Sequence, residues 1–248
     1  LTHTHSDHFD GLGEAMLLTW ISANRSAPIP ITGPAGTTAV VNGFNAAYAG
    51  DAKFRTAHHG PAIANTDGFG GIGEDINLTQ GTQVIYDNGP LKITASTVFH
   101  EPASPAFGYR IDYKNRSIYI TGDTAYDTKI SAYAKDVDVL FHEALNKQMV
   151  SVMERAARAN SADNLATILE DITDYHASPY EAAQTATDAN AQNLVIYHLV
   201  PPLPVDSLKT LFARDMNKAF EGKITISEDG TIVRLPSGTE AIIYENGL

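Results

Sequence analysis

The 248-residue chain has no cysteine. That absence excludes a disulfide framework, cysteine-ligated zinc and a thiol nucleophile together, and it leaves the redox compartment, and hence the localisation, undetermined. Positive charge is scarce: 17 Lys and Arg face 29 Asp and Glu, a formal net charge of −12. Long-range attraction will not draw such a chain onto polyanions, so the sequence-based expectation is that nucleic acid is not a partner. No apolar run approaches the ~18–20 residues of a membrane span, so no membrane partner is expected either. An initiator methionine is also missing, because the chain opens Leu1-Thr2-His3. This reads as truncated or processed numbering, with any targeting information lying upstream.

What remains is an ordinary globular composition, 43% hydrophobic, without internal repeats. The spacing predicts a turn and helix over 10–24, a strand over 29–32 and a helix from Gly36 to about Tyr48. Residues 58–82 read as a long surface loop. It includes the pair His58-His59 and a literal G-x-G-x-x-G over 68–73. With no strand ahead of that motif and no clear helix after it, flexible loop is the reading. Strands are expected over 84–86, 91–99, 107–113, 117–121, 137–142 and 194–198. Helices should fill most of 145–190, with a capped start at Ser178-Pro179-Tyr180-Glu181. Met149, Val152 and Met153 form a stripe expected to face the core. An amphipathic helix is expected over 206–220, then a hairpin of 224–227 with 231–235, and a last strand over 241–244. Alternating strands and helices with hairpins mixed in give a mixed α/β class.

The strongest local signal is His3-Thr4-His5-Ser6-Asp7-His8, which uses three of the nine histidines. In extended chain, residues two apart point the same way, so His3 and His5 can grip one ion. A turn into the next helix then lets Asp7 and His8 face a second. A disordered His-rich terminus is the bland alternative, and the adjoining Asp10-Gly11-Leu12-Gly13 and apolar helix argue against it. His100 and His198 each end an expected strand, and Asp123 follows one directly, which is where a layered fold gathers its site. Alone, each would be an ordinary rim histidine or turn aspartate.

With these residues in place, the chain resembles the metallo-β-lactamase superfamily of binuclear metallohydrolases. The resemblance implies a four-layer αββα sandwich and a single hydrolase domain over 1–248. It also implies that this domain lacks its first N-terminal strands, with a second copy of the chain or an N-terminal segment covering the open sheet edge. By that resemblance one metal takes His3, His5 and His100, the other takes Asp7, His8 and His198, and Asp123 bridges them. The Phe141-His142-Glu143-Ala144 and Tyr175-His176-Ala177-Ser178-Pro179 stretches look like accessory motifs of ribonuclease Z and its arylsulfatase-like relatives. There the histidine, here His176, helps the leaving group depart, and the glutamate, here Glu143, orients it. Tyr197-His198-Leu199-Val200-Pro201-Pro202 looks closest to the arylsulfatase-like branch.

Nitrogen and carboxylate ligands without sulfur suit two divalent ions, Zn²⁺ first, with Mn²⁺ or Fe²⁺ as alternatives. A pair ~3.5–4 Å apart lowers the pKa of a shared water enough to supply a bridging hydroxide. Asp7, His176 and Glu143 are the expected catalytic residues. The interval from His100 to Asp123 is short and holds no tRNA-gripping arm. With the net charge of −12, this favours a hydrolase of small sulfate or phosphate esters, with a small-molecule ester as substrate. The alternatives are a ribonuclease Z-like endonuclease, or an inactive truncated fold serving as a binding module.

Overall fold

The computed structural model describes residues 1–248, which form two units, Leu1–Thr79 and Gln80–Leu248. In the first, the chain is extended at His5 and then tightens into a 3₁₀ turn over Ser6–His8. Helix α1 (Leu12–Ala23), strand β1 (Ile29–Gly33), helix α2 (Thr37–His59) and strand β2 (Gly71–Asp75) follow. The two strands pair in parallel, Pro30 opposite Ile72. Met16, Ile31 and Val41 form one apolar cluster, and Trp20, Ala52 and Ala64 another. The fully buried Trp20 ring keeps its polar edge satisfied by donating to the Asn65 carbonyl at 2.6 Å.

Two expectations for this unit change. Helix α2 runs on through Gly50 to His59, carried by a run of alanines with high helix propensity, and stops at Gly60, whose φ is +80°. His58 and His59 therefore occupy its last turn, not a loop. The segment 58–82 also contains a strand, β2, where the glycines hid the apolar signal. They are there for close packing. A Cβ on Gly68 would lie 1.6 Å from the Arg25 carbonyl oxygen, and one on Gly73 would lie 2.5 Å from Thr38 Cα.

The second unit is built on seven strands adjacent in chain order. They are β3 (Thr82–Asp87), β4 (Leu91–Val98), β5 (Ala106–Tyr113), β6 (Arg116–Ile120), β7 (Val139–Leu145), β8 (Asn193–Val200) and β9 (Lys223–Ile226). From β3 to β6 the neighbours are antiparallel, and from β6 to β9 parallel. The parallel half needs crossovers, supplied by α3 (Lys129–Tyr133), α4 (Lys147–Ala159), α5 (Asp163–Asp171), α6 (Pro179–Asp188) and α7 (Ser207–Phe212). Helix α6 starts as the sequence indicates: Ser178 accepts from the Glu181 N–H while the Glu181 carboxylate accepts from the Ser178 N–H. Its alanines 182, 183 and 186 are buried with Leu140, Leu194 and Ile196 of the sheet.

Here too some expectations give way. Residues 223–226 join the large sheet beside β8, while β10 (Thr231–Arg234) pairs with β11 (Ile243–Asn246) in a separate ribbon. Ile224 and Ile226 pack on the main core, which outweighs a local hairpin. The helix expected over 206–220 ends at Phe212 and resumes as a 3₁₀ turn over Met216–Lys218, although Phe212 and Met216 are both buried as their spacing suggests. Val152 and Met153 of the expected core stripe are exposed, and Met149 alone packs on the core. The class read from the sequence, mixed α/β with a central sheet, is the class observed. No helix is long and apolar enough to cross a membrane.

Candidate metal centre

Each unit gathers a set of the expected ligand residues. In the first, extended backbone up to His5 brings His3 Nε2 and His5 Nδ1 to 3.0 Å. Nitrogens each ~2.0–2.1 Å from one ion can span that distance. His3 is fully buried, and Thr2 Oγ1 lies 3.2 Å from its other nitrogen. The 3₁₀ turn then swings His8 back, so that its ring lies 4.1 Å from that of His3 between centroids. Asp7 stays largely exposed, with its carboxylate 3.3 Å from His8 Nε2.

In the second unit His100, Asp123, His176 and His198 all sit at the ends of β4, β6 and β8 or in the loop before α6. His100 and Asp123 are buried. The His100 Nδ1–H donates to the Tyr175 carbonyl at 3.0 Å, which leaves the ring lone pair on Nε2, the tautomer a metal ligand needs. Asp123 divides its oxygens: Oδ2 lies 3.9 Å from His100 Nε2 and Oδ1 lies 3.5 Å from His198 Nδ1. A carboxylate shared between two cations requires such a division. His198 owes its position to a bulge. The β7–β8 ladder passes from Glu143–Tyr197 to Ala144–Leu199, skipping His198, whose φ is +45°. A left-handed non-glycine residue costs of order 1–3 kcal/mol, a strain found where a side chain must be re-aimed.

Glu143 binds this cluster together. It is fully buried, and its Oε1 accepts from the Thr124 N–H, the Ala177 N–H and His176 Nδ1, each at 3.1 Å. One oxygen thus fixes the loop carrying Asp123 to the loop carrying His176. Burial pushes the Glu143 carboxyl well above the usual carboxylate range, with the nearby Asp123 charge adding to the rise and the two backbone donors opposing it. His176 stacks at 5.9 Å on the His198 ring and meets His100 edge-on at 5.2 Å. His142, next along β7, takes no part. It is fully buried, donates to the Glu143 carbonyl at 2.7 Å, and burial pushes its pKa down to about 4. Tyr175, through its carbonyl, and Tyr197, whose hydroxyl burial holds far above its usual pKa beside Asp123, complete the surroundings. Sequence reading assigned neither a role, and adjacency to His176 and His198 was the signal available.

The donor set therefore fits divalent ions: several imidazoles, that of His100 with its tautomer fixed, a carboxylate with divided oxygens, and no sulfur. His3, His5 and His8 are together in one unit. His100, Asp123, Glu143, His176 and His198 are together in the other.

Comparison with known proteins agrees. The model of the beta-lactamase superfamily domain matches residues 1–199. Ribonuclease Z of Mycobacterium avium is 30% identical over 241 residues, covering 92% of this chain and 76% of that protein. Ribonuclease Z of Mycobacterium bovis is 31% identical over 239 residues, with the same coverages. Among solved structures, the metallo-beta-lactamase fold protein YhfI from Bacillus subtilis superposes with a TM-score of 0.57 at 19% identity, over 92% of this chain and 73% of that one. Human tRNase Z, short form, gives 0.53 at 20%, over 92% and 75%.

These relatives favour the ribonuclease Z-like alternative over the arylsulfatase-like reading, and they overturn the expectation that nucleic acid is not a partner. Net charge misled because it governs long-range steering, whereas a local grip depends on where the cations stand and on bound ions, which are often the largest charges in a site. The chain belongs to the metallo-β-lactamase superfamily, binds divalent metal, and is a metal-dependent hydrolase of ester bonds.

Proposed function

We propose that the chain is a ribonuclease Z-like phosphodiesterase that cuts RNA, with precursor tRNA as the first substrate to try. Its support is the likeness to ribonuclease Z over 92% of the chain, taken with the buried Glu143–His176 pair. In this reading His3, His5, Asp7 and His8 of the first unit, and His100, Asp123 and His198 of the second, hold two ions, Zn²⁺ by preference. When bound, such ions acidify water and offset charge building on phosphoryl oxygens.

The residues divide the remaining work. Asp123, with one oxygen toward His100 and one toward His198, holds those two side chains beside each other. Asp7, whose carboxylate is largely exposed, would orient the attacking water. As the water oxygen forms its bond to phosphorus and gives up a proton to solvent, the P–O bond to the leaving alkoxide breaks, and that alkoxide needs a proton. His176 carries it on Nε2, because its Nδ1–H is committed to Glu143. Glu143 fixes the orientation and tautomer of that ring, and afterwards the ring takes back a proton from solvent.

The test is cleavage of a labelled precursor tRNA by the metal-loaded protein at low salt. A discrete product that disappears with chelator is expected. Failure to bind or cut precursor tRNA, with efficient hydrolysis of p-nitrophenyl sulfate instead, would overturn the reading.

A further inference from the structure

An RNA-cutting chain with a net charge of −12 must hold phosphates somewhere. Part of its positive charge is already neutralised by neighbouring carboxylates. Arg55 pairs with Asp51, Arg110 with Asp112, buried Arg116 with Asp138, Arg158 with Glu154 and Glu170, and Lys209 with Asp206 and Glu228. Lys147 and Arg214 are among the exposed cations with no carboxylate within ion-pair distance, and what sets them apart is that both line one cavity of about 190 Å³. That cavity lies where β7 gives way to α4, where α6 begins, and where the expected helix 206–220 breaks after Phe212.

Its other walls suit a nucleotide. Tyr180, 45% exposed, and Leu211, 45% exposed, offer apolar faces, and Gln148 offers an amide. One acid borders it, Asp215, whose carboxylate pairs with Lys218 at 2.6 Å and also feels the neighbouring Arg214 charge. The helix terminus nearby is closed by its own capping box, so its amides add nothing. A larger cavity, about 750 Å³ beside His198, has Asp206, Glu228 and Asp229 on its wall and its lysine already paired, which disfavours phosphate there. The smaller cavity is too small for a whole drug-sized ligand but adequate for one unit of a chain. Two connections tie it to the chemistry: Ser178 on its wall is two residues beyond His176, and Asn146 is three beyond Glu143.

We infer that the Lys147–Arg214–Tyr180 cavity is a subsite for a single-stranded stretch of the RNA substrate, with Lys147 and Arg214 on phosphates and Tyr180 stacked on a base. It rests on the function proposed above and adds to it the place where the strand is held.

The experiment is fluorescence anisotropy with a short fluorescein-labelled single-stranded RNA and the metal-loaded protein, titrated at several salt concentrations. Each phosphate contact on a single strand contributes about 0.7 to the slope of log affinity against log salt. Lys147→Ala with Arg214→Ala should therefore flatten the slope by about 1.4, which is about 25-fold weaker binding at 0.1 M salt if the curves converge at 1 M. Tyr180→Ala should weaken binding roughly 5- to 150-fold with no change of slope, and Tyr180→Phe should restore it. Lys92→Ala, an exposed lysine on β4 outside the cavity, should match the wild type. Thermal unfolding of each variant is checked, and single variants at each cation replace the double if it melts early. If the wild type binds RNA and the cavity variants bind with the same slope and affinity, the subsite is wrong and the nuclease reading stands. If the wild type neither binds nor cuts RNA, that reading falls and the subsite with it.

Discussion

Replacing His176 by alanine should separate proton delivery from the rest of the chemistry. The variant removes the ring held 3.1 Å from Glu143 but leaves Glu143 Oε1 accepting from the Thr124 and Ala177 N–H groups, so both loops stay anchored. The loss is then confined to the general acid, a contribution of typically 10²–10⁴ in rate, or about 2.7–5.5 kcal/mol of barrier. Its size must follow the leaving group. The alkoxide of an RNA phosphodiester is strongly basic and needs the proton, whereas p-nitrophenolate departs readily without it. Single-turnover cleavage of precursor tRNA and hydrolysis of bis-p-nitrophenyl phosphate are compared at equal metal loading. The RNA reaction should fall by roughly 10²–10⁴ and the activated diester by only a few-fold. Glu143→Gln keeps an acceptor oxygen but brings an amide whose NH₂ can no longer accept, so it holds the His176 ring less firmly, and it should show the same leaving-group dependence in milder form. Equal losses on both substrates would refute the assignment and make His176 a structural or ligand residue.

Two further expectations concern stability. His142 is buried as the neutral ring, with a folded-state pKa of about 4 against an ordinary 6.5. Between those values the unfolded chain binds more protons, so acid favours unfolding: the wild type should lose about 3 kcal/mol as pH falls from 6.5 to 4. His142→Leu should remove that part of the slope in urea titrations at pH 7.5 and 5, and parallel curves for the two proteins would contradict it. Gly68→Ala places a methyl 1.6 Å from the Arg25 carbonyl oxygen, so the backbone must shift. A destabilisation of at least about 1–3 kcal/mol should appear in chemical denaturation, and an unchanged midpoint would show that the glycine is not there for packing.

The legible parts of this protein were those carried by short-range pattern. His3 and His5 stood out because residues two apart point the same way in extended chain, His8 because a turn follows them, and Ser178 because a capping box is local chemistry. The β-branched and aromatic runs of β4, β5 and β6, bounded by turn residues, gave those strands to within a residue or so. What stayed hidden depended on distant neighbours. Strand β2 is rich in glycine because Thr38 and Ile31 press against it, and nothing within 71–75 reveals them. Residues 223–226 look like half of a hairpin until β8 is there to pair with them. The role of Glu143 as acceptor for groups nineteen to thirty-four residues away is a tertiary fact, as is the bulge that re-aims His198. Composition was the weakest guide, since a total of −12 says nothing of where Lys147 and Arg214 stand.

The most direct test of the central claim is elemental analysis of the purified protein after gel filtration, beside Asp123→Ala. Because Asp123 turns one oxygen to His100 and the other to His198, its loss should loosen both ions at once. The account expects close to two divalent ions per wild-type chain, against less than about one in the variant. A wild type that retains no metal, or a variant that retains as much as the wild type, would contradict it.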